Sequence, residues 1–136
     1  MAEFKLNIAD PKTGKCYQRT IGEPSIESFI GLKMGEKING DSFDLKGYEF
    51  EITGGSDSAG FPMRKGVQTA RKRVLAERGA GFRKVIKGLK RRKTVCGETI
   101  TNKMIQINLK ILKHGEQKLG GAEKKAEESS KEEKKE

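Results

Sequence analysis

Phe4, Leu6 and Ile8 alternate with Lys5, Asn7 and Ala9 near the start of the chain, the two-residue period of a strand with one buried face. The segment Asp10-Pro11-Lys12-Thr13-Gly14 is rich in turn formers, so Tyr17 to Ile21 is expected to return as the second strand of a hairpin. After Pro24-Ser25 the spacing changes: Ile26, Phe29 and Ile30 stand at i, i+3 and i+4 behind a capping serine and ahead of Gly31, which predicts one short helix or helical turn. Asn39-Gly40 marks another turn, and Tyr48, Phe50 and Ile52 alternate with Glu49, Glu51 and Thr53 in a further strand. The longest alternation comes late, with Ile105, Ile107, Leu109 and Ile111 set against Gln106, Asn108 and Lys110. Between these strands, Val67 to Arg78 contains good helix formers, yet Val74 and Leu75 make no stripe at helical spacing, so strand and loop are expected. Short strands punctuated by Gly, Pro and Asn turns predict a mainly β fold. Its expected form is a compact antiparallel β-barrel-like domain or small sandwich with one short helix and basic extended loops.

From Gly120 the pattern disappears. GGAEKKAEESSKEEKKE has no aromatic or large aliphatic residue to offset the entropy of ordering, so residues 120–136 are expected to be a disordered Lys/Glu-rich tail and 1–119 the folded domain. At 136 residues with 33% hydrophobic content and no Trp, the chain is expected to form one domain with a modest core. Cys16 and Cys96 lie far apart, and no secretory leader precedes them, which points to free thiols in a reducing, cytoplasmic setting. One histidine, His114, cannot complete a four-ligand Cys/His zinc site, and beside Gly115 it is expected to be an exposed end residue rather than a general base. No apolar run approaches the ~20 residues that span a bilayer.

Charge changes the picture more than composition does. The formal net charge is +10, and 35% of residues are charged. Met63 to Lys93 contains thirteen basic residues, Arg64, Lys65, Arg71, Lys72, Arg73, Arg78, Arg83, Lys84, Lys87, Lys90, Arg91, Arg92 and Lys93, against one acid, Glu77. The rest of the chain is slightly acidic, so the whole excess sits in this window. Thirteen like charges repel one another unless a polyanion neutralises them. Seven are Arg, whose planar fork grips phosphate with two bonds at once. A membrane surface would call for a basic amphipathic helix with a Trp, Leu or Phe face, and the window offers scattered Val, Ile and Leu with Phe82 as its one aromatic. Most of the six Phe and two Tyr fall in strand patterns, leaving Phe61 and Phe82 as candidates for base stacking. Shape-led binding to folded RNA, dominated by phosphate contacts, is therefore expected over base readout.

Residues 54–66, GGSDSAGFPMRKG, test the nucleotide-enzyme alternative. Gly55 and Gly60 have the spacing of a phosphate-binding loop, but Phe61 and Pro62 stand where the Lys and the magnesium-binding hydroxyl belong. Pro62 also lacks the N–H that such a loop aims at phosphate. No G-x-G-x-x-G occurs either. Gly54, Gly55, Asp57, Gly60, Phe61, Pro62 and Gly66 are instead expected to form a structural loop that joins a strand to the basic window, with Asp57 bonding inside the turn.

The run Gly54-Gly55-Ser56-Asp57, Gly60-Phe61-Pro62-Met63 and Gly66-Val67 resembles the signature of the family of ribosomal protein six of the small subunit, archaeal and eukaryotic (e) type. FKLNIADPKTGK is similar to that family's first hairpin, Arg91 to Gly97 to its basic segment, and the late strand ending in Lys113-His114-Gly115-Glu116 to its closing strand, so the resemblance covers residues 3 to 119. It implies a β-barrel-like domain seated on small-subunit rRNA beside neighbouring ribosomal proteins, in the cytoplasm, as a structural constituent of the ribosome with no enzyme activity, cofactor or small-molecule substrate. The length is similar to the archaeal form. Ser129 and Ser130 lie among Glu and Lys, unlike the kinase-modified serines of longer eukaryotic members, so that regulation is not carried over. The competing expectation is a free-standing RNA-binding or RNA-chaperone barrel outside the ribosome, and an enzyme stands a distant third.

Overall fold

The structure, a computed structural model, describes residues 3–115 and 119. Seven strands carry the fold: β1 (Phe4–Asp10), β2 (Lys15–Ile21), β3 (Lys37–Asn39), β4 (Glu49–Asp57), β5 (Arg71–Ala76), β6 (Arg91–Cys96) and β7 (Met104–Lys113). The first hairpin forms where the alternation places it. Asp10 closes its turn by accepting the Lys12 N–H at 2.9 Å and the Thr13 hydroxyl at 2.8 Å.

Five strands make one sheet in the order β2-β1-β7-β4-β3, and β5 and β6 make a separate two-stranded sheet. The large sheet has two free edges, so the mainly β expectation holds but the barrel does not close. Nor is the sheet wholly antiparallel, because β1 and β7 run parallel with Leu6 opposite Ile107. The expected helix is reduced to a 3-10 turn at Ser25–Ser28, and a second 3-10 turn, Gly40–Phe43, follows the Asn39-Gly40 turn signal. Ile26 and Phe29 are buried while Ile30 is exposed, and an i, i+3 pair needs only the three-residue period of a 3-10 turn.

The core lies on one face of the five-stranded sheet, where Phe4, Leu6 and Ile8 of β1, Phe50 and Ile52 of β4, and Ile107, Leu109 and Ile111 of β7 are buried. The connecting segments cover it with Phe29, Phe43, Leu45, Tyr48 and Ile100. Phe29, Phe43, Phe50 and Tyr48 form a run of ring contacts with centroids 5.4–5.7 Å apart, the spacing of favourable aromatic pairs. Ile105 departs from the alternation and is exposed, while Met104 is buried in its place. The cause is a register shift between Ser56 and Asp57 that pairs them with Gln106 and Met104 and leaves Ile105 outside the ladder, as a β-bulge does.

His114 is half-buried rather than exposed. Its Nε2 lies 3.4 Å from Asp10 Oδ1 and its ring 6.1 Å from that of Tyr48.

Candidate nucleic-acid interface

β5 and β6 carry six of the thirteen window cations, and their register keeps like charges apart. Lys72 faces Val95, Arg73 faces Thr94, Val74 faces Lys93, Leu75 faces Arg92, and Ala76 faces Arg91. No cation in the two strands stands directly opposite another, the arrangement that avoids the cost of like charges paired across strands. A slip of one residue would oppose Arg73 to Lys93. The observed register avoids that pair.

The hairpin is joined to the large sheet by one short segment. Met63 N–H donates to the Gly55 carbonyl at 2.9 Å, Cys96 N–H to the Pro62 carbonyl at 2.8 Å, and Arg64 N–H to the Cys96 carbonyl at 3.1 Å. Residues 62–64 therefore bridge the end of β4 to the end of β6. Val95 and Cys96 are fully buried at this joint.

Asp57 is the polar centre of the joint. Its side chain is 2% exposed. Oδ1 accepts the N–H groups of Ala59 at 2.7 Å and Phe61 at 3.4 Å, which is the expected bonding within the turn. Oδ2 accepts Arg71 Nε at 2.5 Å and the Cys96 thiol at 3.1 Å. Burial raises the carboxyl's pKa, but the bonds from Cys96, Arg71, Ala59 and Phe61 outweigh it and hold the group below its ordinary 3.8. The Cys96 thiol moves the other way: burial first, then its bond to the Asp57 carboxylate, pushes it up to about 11.

The thirteen cations consequently divide. Arg71 is committed to Asp57, and its guanidinium carbon lies 5.3 Å from the centroid of the Phe61 ring. Arg64 turns inward, donating to the carbonyls of Arg78 at 3.4 Å and Ala80 at 3.5 Å and lying 5.7 Å from the Phe82 ring centroid. Lys93 approaches the same ring at 5.8 Å. Phe82, one of the two sequence candidates for base stacking, is buried; Phe61, the other, is half-buried with a cation against it. Lys65, Lys72, Arg73, Arg78, Arg83, Lys84, Lys87, Lys90 and Arg92 are exposed, and Arg91 is half-buried.

Two open grooves flank the hairpin. One, of about 590 Å³, lies between the Gly60-Phe61-Pro62 turn and Arg73, Arg83, Arg92, Lys93 and Thr94. The other, of about 520 Å³, runs along Arg64 to Thr69 beside Lys72 and Arg73. Cationic walls of this kind attract a polyanion and grip its oxygens. Among the described residues there is no group of three or more His, Cys, Asp or Glu placed to hold a metal ion, and no helix long and apolar enough to cross a membrane.

The sequence model of a family described as ribosomal protein S6e matches residues 4–124. The chain belongs to the ribosomal protein S6e family. The small ribosomal subunit protein eS6 of Archaeoglobus fulgidus is 44% identical over 128 residues, which covers 93% of this chain and 99% of that protein. The protein of the same name from Methanocaldococcus jannaschii is 44% identical over 120 residues, covering 88% and 89%. That from Methanocella arvoryzae is 41% identical over 120 residues, covering 88% and 84%. These similarities run nearly end to end and make this an archaeal-type S6e chain.

The glycine-rich stretch of this S6e chain is less of a loop than its composition suggests. Gly54, Gly55 and Asp57 belong to β4, and the turn is confined to the residues before Phe61. Gly55 is needed for close approach: a Cβ there would collide with the Gln106 carbonyl oxygen of β7 and lie 3.2 Å from Met63 Sδ. Gly60 and Gly66 have φ of 81° and 87°, the left-handed region that a turn-forming glycine supplies. Pro62 suits its place because its carbonyl is used and an N–H is not. Sequence reads Cys96 only as a free thiol, because its bond to Asp57 joins residues 39 apart.

Proposed function

We propose that this S6e protein is a structural constituent of the small ribosomal subunit in the cytoplasm, binding folded rRNA mainly through phosphate contacts from residues 63–93 and acting in translation. The observation that carries this reading is the concentration of the whole net charge excess in residues 63–93, with a strand register that sets no cation opposite another and nine exposed cations, Lys65, Lys72, Arg73, Arg78, Arg83, Lys84, Lys87, Lys90 and Arg92, not committed to the fold. Membership of the S6e family and the names of its archaeal relatives support a ribosomal, non-catalytic role. Its partners are small-subunit rRNA and neighbouring ribosomal proteins. The rRNA-binding unit is residues 1–119. The tail at 120–136, expected from composition to be disordered, lies outside the described residues, and removing residues 121–136 should leave the melting transition unmoved.

Sedimentation of a cell lysate at low and high salt tests the reading, following the protein and small-subunit rRNA together. One copy per small subunit, retained through moderate salt, is expected. A spread over many RNA fractions that salt strips easily would instead identify a free RNA-binding protein.

A further inference from the structure

We infer that the groove between the Gly60-Phe61-Pro62 turn and the β5–β6 hairpin seats one nucleotide unit of an RNA strand, with its phosphate held by Arg73, Arg83 and Arg92. The inference rests on the rRNA-binding reading and deepens it, from a diffuse basic surface to one built site. Arg73 comes from β5, Arg92 from β6 and Arg83 from the loop between them, so three arginines from three parts of the chain line one concavity of about 590 Å³. Arg73 and Thr94 are direct cross-strand partners, and Arg92, two residues before Thr94, shares their face of the hairpin.

No acidic side chain lines this groove. Arg71 and Arg64 already have acceptors within the protein, whereas Arg73, Arg83 and Arg92 have none among the described residues. Their forks are open to phosphate oxygens. The opposite wall is of different chemistry: the half-buried ring of Phe61 and the pyrrolidine of Pro62, which offers no donor, suit a ribose and base rather than a second phosphate. A cationic side facing an apolar side matches the two halves of a nucleotide. The volume falls within the roughly 300–1,000 Å³ typical of small-ligand sites.

The test uses the full chain and a fluorescein-labelled 24-nucleotide RNA hairpin, read by anisotropy across a salt series. The triple variant Arg73→Gln, Arg83→Gln, Arg92→Gln is compared with Lys72→Gln, Lys87→Gln, Lys90→Gln, which removes equal charge from outside the groove. The groove variant should bind about tenfold or more weakly, and its slope of log K against log salt should fall by about 1, the share of the one phosphate the three arginines hold; the matched variant should lose about threefold in affinity. Equal losses would overturn the seat while leaving diffuse rRNA binding intact. No loss in either variant would overturn both. An oligoglutamate peptide that displaces the RNA at equal concentration would overturn the assignment to a nucleotide. On the unaltered protein, 4-thiouridine crosslinks from the same hairpin should map to the peptide containing Phe61 and Pro62, and crosslinks confined to other peptides would sink the inference regardless of how the variants fold.

Discussion

Asp57→Asn should destabilise the protein while leaving its surface charge pattern almost untouched. The carboxylate is 2% exposed and receives four donors, two from backbone and two from Arg71 and Cys96. An amide can keep the Ala59 bond, but its NH2 then faces the Arg71 and Cys96 donors. Removing one partner of a buried ion pair costs about 3–5 kcal/mol. Arg71 is 42% exposed here, so its stranded guanidinium can rehydrate, and the expected loss falls to about 2–3 kcal/mol. For a domain of this size that is a drop in Tm of about 8–12 °C, measurable by thermal melting and checked by urea denaturation at pH 7. The pH dependence has a fixed sign. Because the folded carboxyl lies below its ordinary 3.8, its contribution is complete above that value and is lost as pH falls through the lower folded value. The gap between wild type and variant should therefore close on acidification below about pH 4. A companion variant, Arg71→Gln, should lower Tm yet leave the salt slope of RNA binding unchanged. A loss below about 0.5 kcal/mol for Asp57→Asn, within the range of an ordinary surface substitution, would refute the assignment of the network to the joint. A fall in salt slope for Arg71→Gln would return that residue to the RNA-facing set.

Reversing Arg91, Arg92 and Lys93 to Glu should weaken rRNA association and flatten its salt dependence, because fewer counterions are released; an unchanged slope in filter binding would remove β6 from the interface. Gly55→Ala should cost about 1–3 kcal/mol in urea denaturation, since the new methyl meets the Gln106 carbonyl of β7, and a neutral result would mean that β4 and β7 can separate there without penalty. Iodoacetamide on the native protein near pH 8 should label Cys16, which is exposed, and spare Cys96, which is buried with its thiol pushed up to about 11; mass spectrometry showing equal labelling would contradict the closed joint.

The strands that were legible in the sequence are those with one wet face. β1, β4 and β7 alternate because one side of each meets the core and the other water, and period two follows from that alone. The parallel pairing of β1 with β7 was not legible, since alternation fixes a strand's faces but not its neighbour or its direction. The displacement of Ile105 by Met104 was hidden for the same reason: the bulge belongs to the pair β4–β7, not to either strand. β5 and β6 carry cations on both faces and so show no apolar period; the absence of a helical stripe over Val67 to Arg78 did point to strand for β5, but nothing in the pattern marked β6 as a strand. Charge counting points the proposed interface to one window. It could not separate Arg71 and Arg64 from the rest, because their acceptors, Asp57 Oδ2 and the carbonyls of Arg78 and Ala80, come within reach only through folding.

A two-stranded hairpin is marginal on its own in water, and one bearing six cations in its strands is more so. What holds β5 and β6 in place is concentrated at one end, where Val95 and Cys96 are buried and residues 62–64 bond to both sheets. The acid at that end is buried and bound to Arg71, the cation facing Cys96 across the last pair of the ladder. A surface acid in the same role would stabilise the hairpin equally by charge, but it would also weaken the positive field that the hairpin presents. Placing the carboxylate inside, against a single arginine and a thiol, anchors the root of the hairpin and leaves Arg73, Arg83 and Arg92 uncompensated. The free energy that secures the fold and the charge of the proposed interface are thus drawn from different residues, and the division between them runs through Asp57.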